Sequence, residues 1–125
     1  MEKLKSREPH KLSKVLLLLA ECIQENGLYN QLDYGMMNFC LYTKEYANSA
    51  TVELVCYLDD YPEITDDDVE VHPQFVIQNE LEQFCTGETL EMVIGNILHQ
   101  KSQATIDDFV MGLNYYLERD AFIEL

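Results

Sequence analysis

The chain has 125 residues, with 23 Asp and Glu against 8 Lys and Arg, a formal charge of −15 at neutral pH. This length suits one domain around one core, and a 47% share of hydrophobic residues argues against wholesale disorder. The charge excludes roles that grip a phosphate backbone or an anionic lipid surface, because both need basic residues to displace counterions. It favours encounter with basic proteins instead.

Taken in chain order, the basic stretch Met1 to Lys14 precedes the apolar run Val15 to Ala20. That combination superficially resembles a signal peptide, but no small-residue cleavage pattern ends it, and the run is far shorter than the roughly 20 residues that cross a bilayer. The spacing predicts a helix from Pro9 to Asn26. Leu12, Leu16, Leu19 and Ile23 recur on one face with Val15 and Cys22 beside them, Pro9 fits the first turn and Gly27 fits the stop. Leu28 to Gly35 reads as loop. Met36 to Thr43 and Thr51 to Leu58 read as short strands, joined by a linker or helical turn at Lys44 to Ala50. In the second strand Val52, Leu54, Cys56 and Leu58 alternate with Glu53 and Tyr57, the pattern of a sheet covered on one side.

Asp59 to Glu70 reads DDYPEITDDDVE, with seven carboxylates and no basic residue, so mutual repulsion predicts an extended, solvated loop. Helical patterns follow at Pro73 to Phe84, Glu88 to Gln100 and Thr105 to Arg119, the last opened by a Thr105 and Asp108 capping arrangement. Ala121 to Ile123 is apolar enough to return to the core as a strand or a tied-down tail. The expected fold is therefore α+β: an N-terminal helix, a small antiparallel sheet of short strands and a C-terminal group of about three helices, forming a single domain over residues 1–125.

The sequence offers little visible catalytic machinery. Cys22, Cys40, Cys56 and Cys85 lie 18, 16 and 29 residues apart among apolar neighbours. That favours buried free thiols in a reducing cytosol over secreted disulfides, and it lacks the close pairs of a zinc site. The histidines His10, His72 and His99 fall in no metal or catalytic motif, and the serines have no nucleophile-elbow context. Aligning Asp66 with the start of an EF-hand loop puts Val71 where glycine is required and Ile77 where the bidentate Glu belongs. The acidic run also lacks the apolar pocket that glycoside hydrolysis uses to raise one carboxyl. No cofactor is implied, and no phosphate loop exists among the five glycines. An enzyme would call for a deep pocket lined by His99 or His72 and a carboxylate.

Charge is the informative feature. Lys3, Lys5, Arg7, Lys11 and Lys14 hold five of the eight cations, whereas residues 45–100 contain thirteen acids and no Lys or Arg. Ordinary surfaces mix signs, so a one-sign stretch of this length implies a basic partner that offsets the repulsion. The rival reading is a generally acidic protein with no dedicated site. Tyr61, set between Asp59, Asp60 and Glu63, is placed to receive the stem and charge of a Lys or Arg, with Tyr57 a second anchor if its strand face is exposed.

The C-terminal portion carries His72-Pro73 with Phe75, Leu81, Phe84, Val93-Ile94, Asn96-Ile97, Gln100-Lys101, Phe109, Leu113-Asn114-Tyr115-Tyr116 and Asp120-Ala121-Phe122. Over roughly residues 72–123 it resembles the small bacterial immunity proteins of contact-dependent growth inhibition and other polymorphic toxin systems. The resemblance implies a cytoplasmic, non-enzymatic antitoxin that binds the C-terminal domain of a cognate toxin, with no direct nucleic-acid or membrane contact. A nuclease or RNase must present a basic cleft, which carboxylates can fill in place of phosphates. Asp59, Asp60, Tyr61, Glu63, Asp66, Asp67, Asp68 and Glu70 are the expected toxin-facing residues. The alternative is an acidic adaptor or nucleic-acid mimic for another basic partner.

Overall fold

A computed structural model describes residues 5–26, 39–45 and 47–125. Its elements are β1 (His10–Lys11), α1 (Leu12–Asn26), β2 (Cys40–Thr43), β3 (Val55–Asp59), β4 (Glu63–Ile64), β5 (Glu70–Val71), α2 (Gln74–Gln78), β6 (Glu82–Thr86), α3 (Gly87–Gln100) and α4 (Ile106–Arg119). Strands β1, β3, β2 and β6 lie side by side in that order as one antiparallel sheet, and β4 with β5 makes a separate hairpin. The fold is α+β, with an N-terminal helix, a small antiparallel sheet and C-terminal helices.

One face of the sheet carries the core. Leu41, Cys56, Leu58 and Cys85 meet Leu12, Leu16, Leu19 and Ile23 of α1, Leu90, Val93, Ile94 and Ile97 of α3, and Phe109 and Leu113 of α4. The stripe expected on α1 is buried as a unit, but the helix begins at Leu12 rather than Pro9. His10 and Lys11 instead pair with Cys56 and Val55. The first free helical N–H groups, of Leu12 and Ser13, donate to the carbonyls of Leu54 (2.7 Å) and Val52 (3.3 Å), so the turn before β3 does the work of a cap. The expected stop at Gly27, the loop at Leu28 to Gly35 and the first part of the strand Met36 to Thr43 lie outside the described residues. The second strand is shorter than expected, with residues 51–54 forming its entry turn.

Pro73 to Phe84 is not one helix. Helix α2 ends at Gln78, after which Glu80 adopts a left-handed φ of 53°. The Leu81 N–H returns to the Val76 carbonyl (2.9 Å) and the Glu80 N–H to that of Ile77 (3.2 Å). These are the two bonds of a Schellman stop, and the accompanying apolar contact is that of Leu81 with Val76. The chain then extends as β6, where a register irregularity opposite Leu41 and Tyr42 leaves Phe84 without a direct partner and sends both Phe84 and Cys85 towards the helical core.

At the other end, Thr105 and Asp108 form the expected capping box over α4, with the Asp108 carboxylate accepting the Thr105 N–H at 2.8 Å. Asn114 reaches from α4 to Ala50, accepting its N–H and donating to its carbonyl (3.0 Å). The C-terminal residues are a tied-down tail. Gln100 donates to the Ile123 carbonyl (2.8 Å) and accepts the Leu125 N–H (2.9 Å), while Phe122 packs on Tyr116 at 5.4 Å.

Candidate functional site

The opposite face of the sheet is thinly covered. Cys40 and Tyr42 of β2 meet Val76 of the short α2 and Leu81, with Tyr57 and Phe75 alongside. Tyr57, offered by the sequence as a possible contact residue, is half-buried, its ring 5.9 Å from that of Phe75. Burial keeps the fully enclosed Tyr42 phenol well above its usual range, so at neutral pH it donates its proton, here to the Asp60 carbonyl at 2.8 Å. Its ring also meets that of His72 edge-on at 5.9 Å. Tyr42 thus fixes Asp60 on one side and His72 on the other.

Between these two lies a cleft of about 490 Å³, bounded by Asp60, Tyr61 and Glu63 on the hairpin side and by Val71 to Gln74, Ile77 and Gln78 on the α2 side. Glu63 and Val71 are direct cross-strand partners, so the hairpin turns this one pair towards the opening. Tyr61 sits with its hydroxyl against Thr86 and the Glu88 backbone at the start of α3, and partial burial raises its phenol. His72 Nε2 lies 3.1 Å from a Glu70 oxygen, while its buried Nδ1 has no hydrogen-bond partner among the described residues.

Beyond Asp59, which is buried at the end of β3, the acidic run is solvated as expected, but part of it is folded. The Thr65 carbonyl accepts the Asp68 N–H (2.9 Å), its hydroxyl accepts the Val69 N–H (3.1 Å), and the Thr65 N–H donates to the Val69 carbonyl (2.9 Å). Asp68 takes a left-handed φ of 61°. This is the three-residue hairpin loop in which a turn is followed by one left-handed residue. Asp66, Asp67 and Asp68 occupy its tip, all exposed.

Of the eight residues expected at the interface, the structure brings Asp60, Tyr61 and Glu63 to the cleft, sets Asp66, Asp67 and Asp68 at the hairpin tip, and places Glu70 beside His72. Asp59 departs from them. It closes β3 with its side chain 1% exposed, held by Arg7 through two contacts of 3.3 Å and by the Asp60 N–H at 2.8 Å. Strand alternation explains the difference: Asp59 falls two residues after Tyr57, on the same side of the sheet and opposite Cys40. Its charge is neutralised within the molecule, where it ties residues before β1 to the sheet. By contrast, Glu63, Asp66, Asp67 and Asp68 have no ion-pair partner among the described residues.

Elsewhere the chemistry is quiet. All four cysteines are buried and none is in a disulfide, and burial pushes the Cys56 thiol up to about 12 and raises Cys40 and Cys85, which suppresses the reactive thiolate. Among the described residues, no group of three or more His, Cys, Asp or Glu could hold a metal ion, and no helix is long and apolar enough to cross a membrane. His10 is spent on the Lys5 carbonyl (2.9 Å) and His99 is exposed near the end of α3.

Sequence reasoning missed Glu91. It is 3% exposed on α3, and neither carboxylate oxygen has a hydrogen-bond partner among the described residues. Burial, helped by the nearby Glu88 charge, raises its carboxyl above the ordinary value of 4.5. The available signal was Gly87 and Gly95, four residues to either side on the same helix line and also buried.

No curated protein and no solved structure matches the chain significantly. A family model does match, over residues 11–125. That span covers every element of the fold except the first residue of β1, and the chain therefore belongs to the family described as a domain of unknown function, DUF7716.

Proposed function

We propose that this chain is an immunity protein that binds the C-terminal domain of a cognate toxin, a basic nuclease or RNase, and blocks its active site without catalysing a reaction, in the cytoplasm where such a toxin acts. The observation that carries this reading is the hairpin tip, where Asp66, Asp67 and Asp68 stand exposed in succession without an ion-pair partner among the described residues. Such a surface offers a polyanion's charge on a preorganised turn, so a cationic cleft exchanges its phosphate contacts for carboxylates. The absence of Lys and Arg from residues 45–100 and the resemblance over residues 72–123 support it further.

Affinity capture of the full chain from its native strain tests the function, with a basic toxin domain as the expected partner. An adaptor or nucleic-acid mimic would instead return a different basic protein, and either result identifies the class. The site is tested separately by Asp66→Lys, Asp67→Lys and Asp68→Lys combined. Association with the captured partner should slow by about tenfold or more at low salt, with unfolding unchanged. Equal association rates would remove the hairpin from the interface.

A hydrolytic reading has one observation in its favour: His72, paired with Glu70, lines the same cleft as Asp60 and Glu63. No Ser, Thr or Cys among the described residues lines it, so His72 would have to activate water. That reading requires His72→Gln to abolish protection while leaving toxin binding intact.

A further inference from the structure

We infer that the cleft between the β4–β5 hairpin and α2 seats one arginine side chain of the partner, flanked in the partner's sequence by apolar residues. The inference rests on the reading that the partner is a basic protein and names the part of it that is recognised.

Three observations converge on this occupant. The cleft, at about 490 Å³, is in the range of sites that enclose a small ligand, with room for a side chain and its neighbours. Its lining divides by chemistry: Tyr61, Val71, Pro73 and Ile77 are its apolar residues, Asp60 and Glu63 are its acidic ones, and no Lys or Arg among the described residues lines it. An arginine matches both parts, with an aliphatic stem for the apolar lining and a planar fork that two carboxylates can share and that stacks on an aromatic ring. Finally, of the ten large apolar side chains exposed among the described residues, three (Tyr61, Val71 and Ile77) line this cleft, and two more (Ile64 and Val69) lie on the adjoining hairpin. Apolar exposure gathered around an acidic cleft marks a contact surface for an apolar-flanked cation, because a purely electrostatic surface has no need of it.

The site is also held in place. Tyr42 bonds the Asp60 backbone and packs on His72, so both rims are set by one buried side chain of the sheet. An interaction that requires no reordering loses less on binding.

The experiment is an NMR titration of the isotope-labelled full chain with the peptide acetyl-Gly-Leu-Arg-Leu-Gly-amide, followed at the backbone amides. Shifts should concentrate at Asp60, Tyr61, Glu63, His72 and Ile77, saturating in the millimolar range expected of a single-residue contact. Replacing the arginine by citrulline, which keeps the shape and removes the charge, should weaken binding about fivefold. Glu63→Gln and Ile77→Ser, both at exposed positions, should each weaken it while leaving the remaining spectrum in place. Equal binding of the citrulline peptide, shifts spread evenly over all acidic residues, or no shift at about 10 mM peptide would overturn the assignment. So would movement of the same amides with protein concentration alone, which would mean that a second copy occupies the cleft. These failures are distinct from failure of the antitoxin reading, which the identity of the captured partner decides.

Discussion

The two faces of the central sheet are built on different terms. The face under α1, α3 and α4 is a continuous apolar core in which residues from three helices converge on Leu41, Cys56, Leu58 and Cys85. The other face has only the five-residue α2 over it, with a cluster of Cys40, Tyr42, Val76 and Leu81. Polar groups enter this second face at every margin: the Tyr42 hydroxyl, His72 and the neutralised Asp59. The contrast separates two tasks. Hydrophobic burial concentrated on one side supplies most of the driving force, which leaves the thin side free to hold a cleft and an acidic hairpin whose own contacts add little stability.

Matched truncations test that division most severely. Leu41→Ala, at a position with no exposed surface facing three helices, should cost about 3–5 kcal/mol, because packed neighbours cannot close the void. Leu81→Ala, at the edge of the small cluster, should cost about 2 kcal/mol, since α2 can settle into the space. Denaturant midpoints at unchanged m-value measure both. Equal losses would mean that α2 is as structural as the helical layer, and the separation of tasks would fail. The Lys-substituted hairpin tip belongs to the same test from the other side, with its folding stability expected to stay within about 0.5 kcal/mol while association slows.

Glu91 sharpens the comparison because it places on α3, within the well-packed half, a buried carboxylate with no hydrogen-bond partner among the described residues. Its folded-state carboxyl is raised above the ordinary value of 4.5, so folding favours the protonated form. The stability that the protonated form contributes is complete below that value and is lost as pH rises through the higher folded-state value. Glu91→Met should therefore stabilise the fold by about 1–3 kcal/mol at pH 7, and this advantage should shrink steadily as pH falls towards 4.5. Thermal unfolding followed across that window checks it. A stabilisation independent of pH would show that packing of the methionine, and not removal of a desolvated charge, is responsible. The capping carboxylate Asp108 has the opposite sign. Bonds from the Thr105 backbone and from Lys101 lower it, so what it contributes is present above its ordinary value and is lost in acid.

Legibility followed the same division. The helical core could be read because period alone identifies it: Leu12, Leu16, Leu19 and Ile23 are buried together, as are Leu90, Val93 and Ile97. The α4 cap was readable from Thr105 and Asp108 because a capping box has a fixed spacing. On the thin face, long-range pairing and backbone conformation outweighed local pattern. Glu80 occupies the left-handed position that normally signals a helix stop through glycine, so α2 and β6 ran together into one expected helix. Asp59 sat inside a carboxylate run, and nothing local distinguished it from its neighbours. Its burial depends on Arg7, 52 residues away, a pairing that only the β1–β3 register reveals. The hairpin was concealed in the same way, because Asp68 fills the position where a glycine would have announced the turn.

That substitution pattern leads to the smallest effects and the finest distinction. Asp68 and Glu80 both adopt left-handed conformations at φ 61° and 53°, which cost an L-residue about 1–2 kcal/mol, against about 0.5–1 kcal/mol of additional chain entropy lost by glycine. Asp68→Gly and Glu80→Gly should each therefore stabilise by roughly 0.5 kcal/mol, with the lower value at Asp68, whose residue type tolerates this region better. The two variants part in binding. Glu80→Gly removes a carboxylate at a helix stop, outside the expected contact residues, and should leave partner association untouched, whereas Asp68→Gly removes one of the three tip charges and should slow it at low salt. A more stable protein that binds more slowly would show that the carboxylate is kept at the tip at the expense of the turn. If both glycine variants bind as the parent does, Asp68 is only a turn residue, and the tip's contribution must come from Asp66 and Asp67 alone.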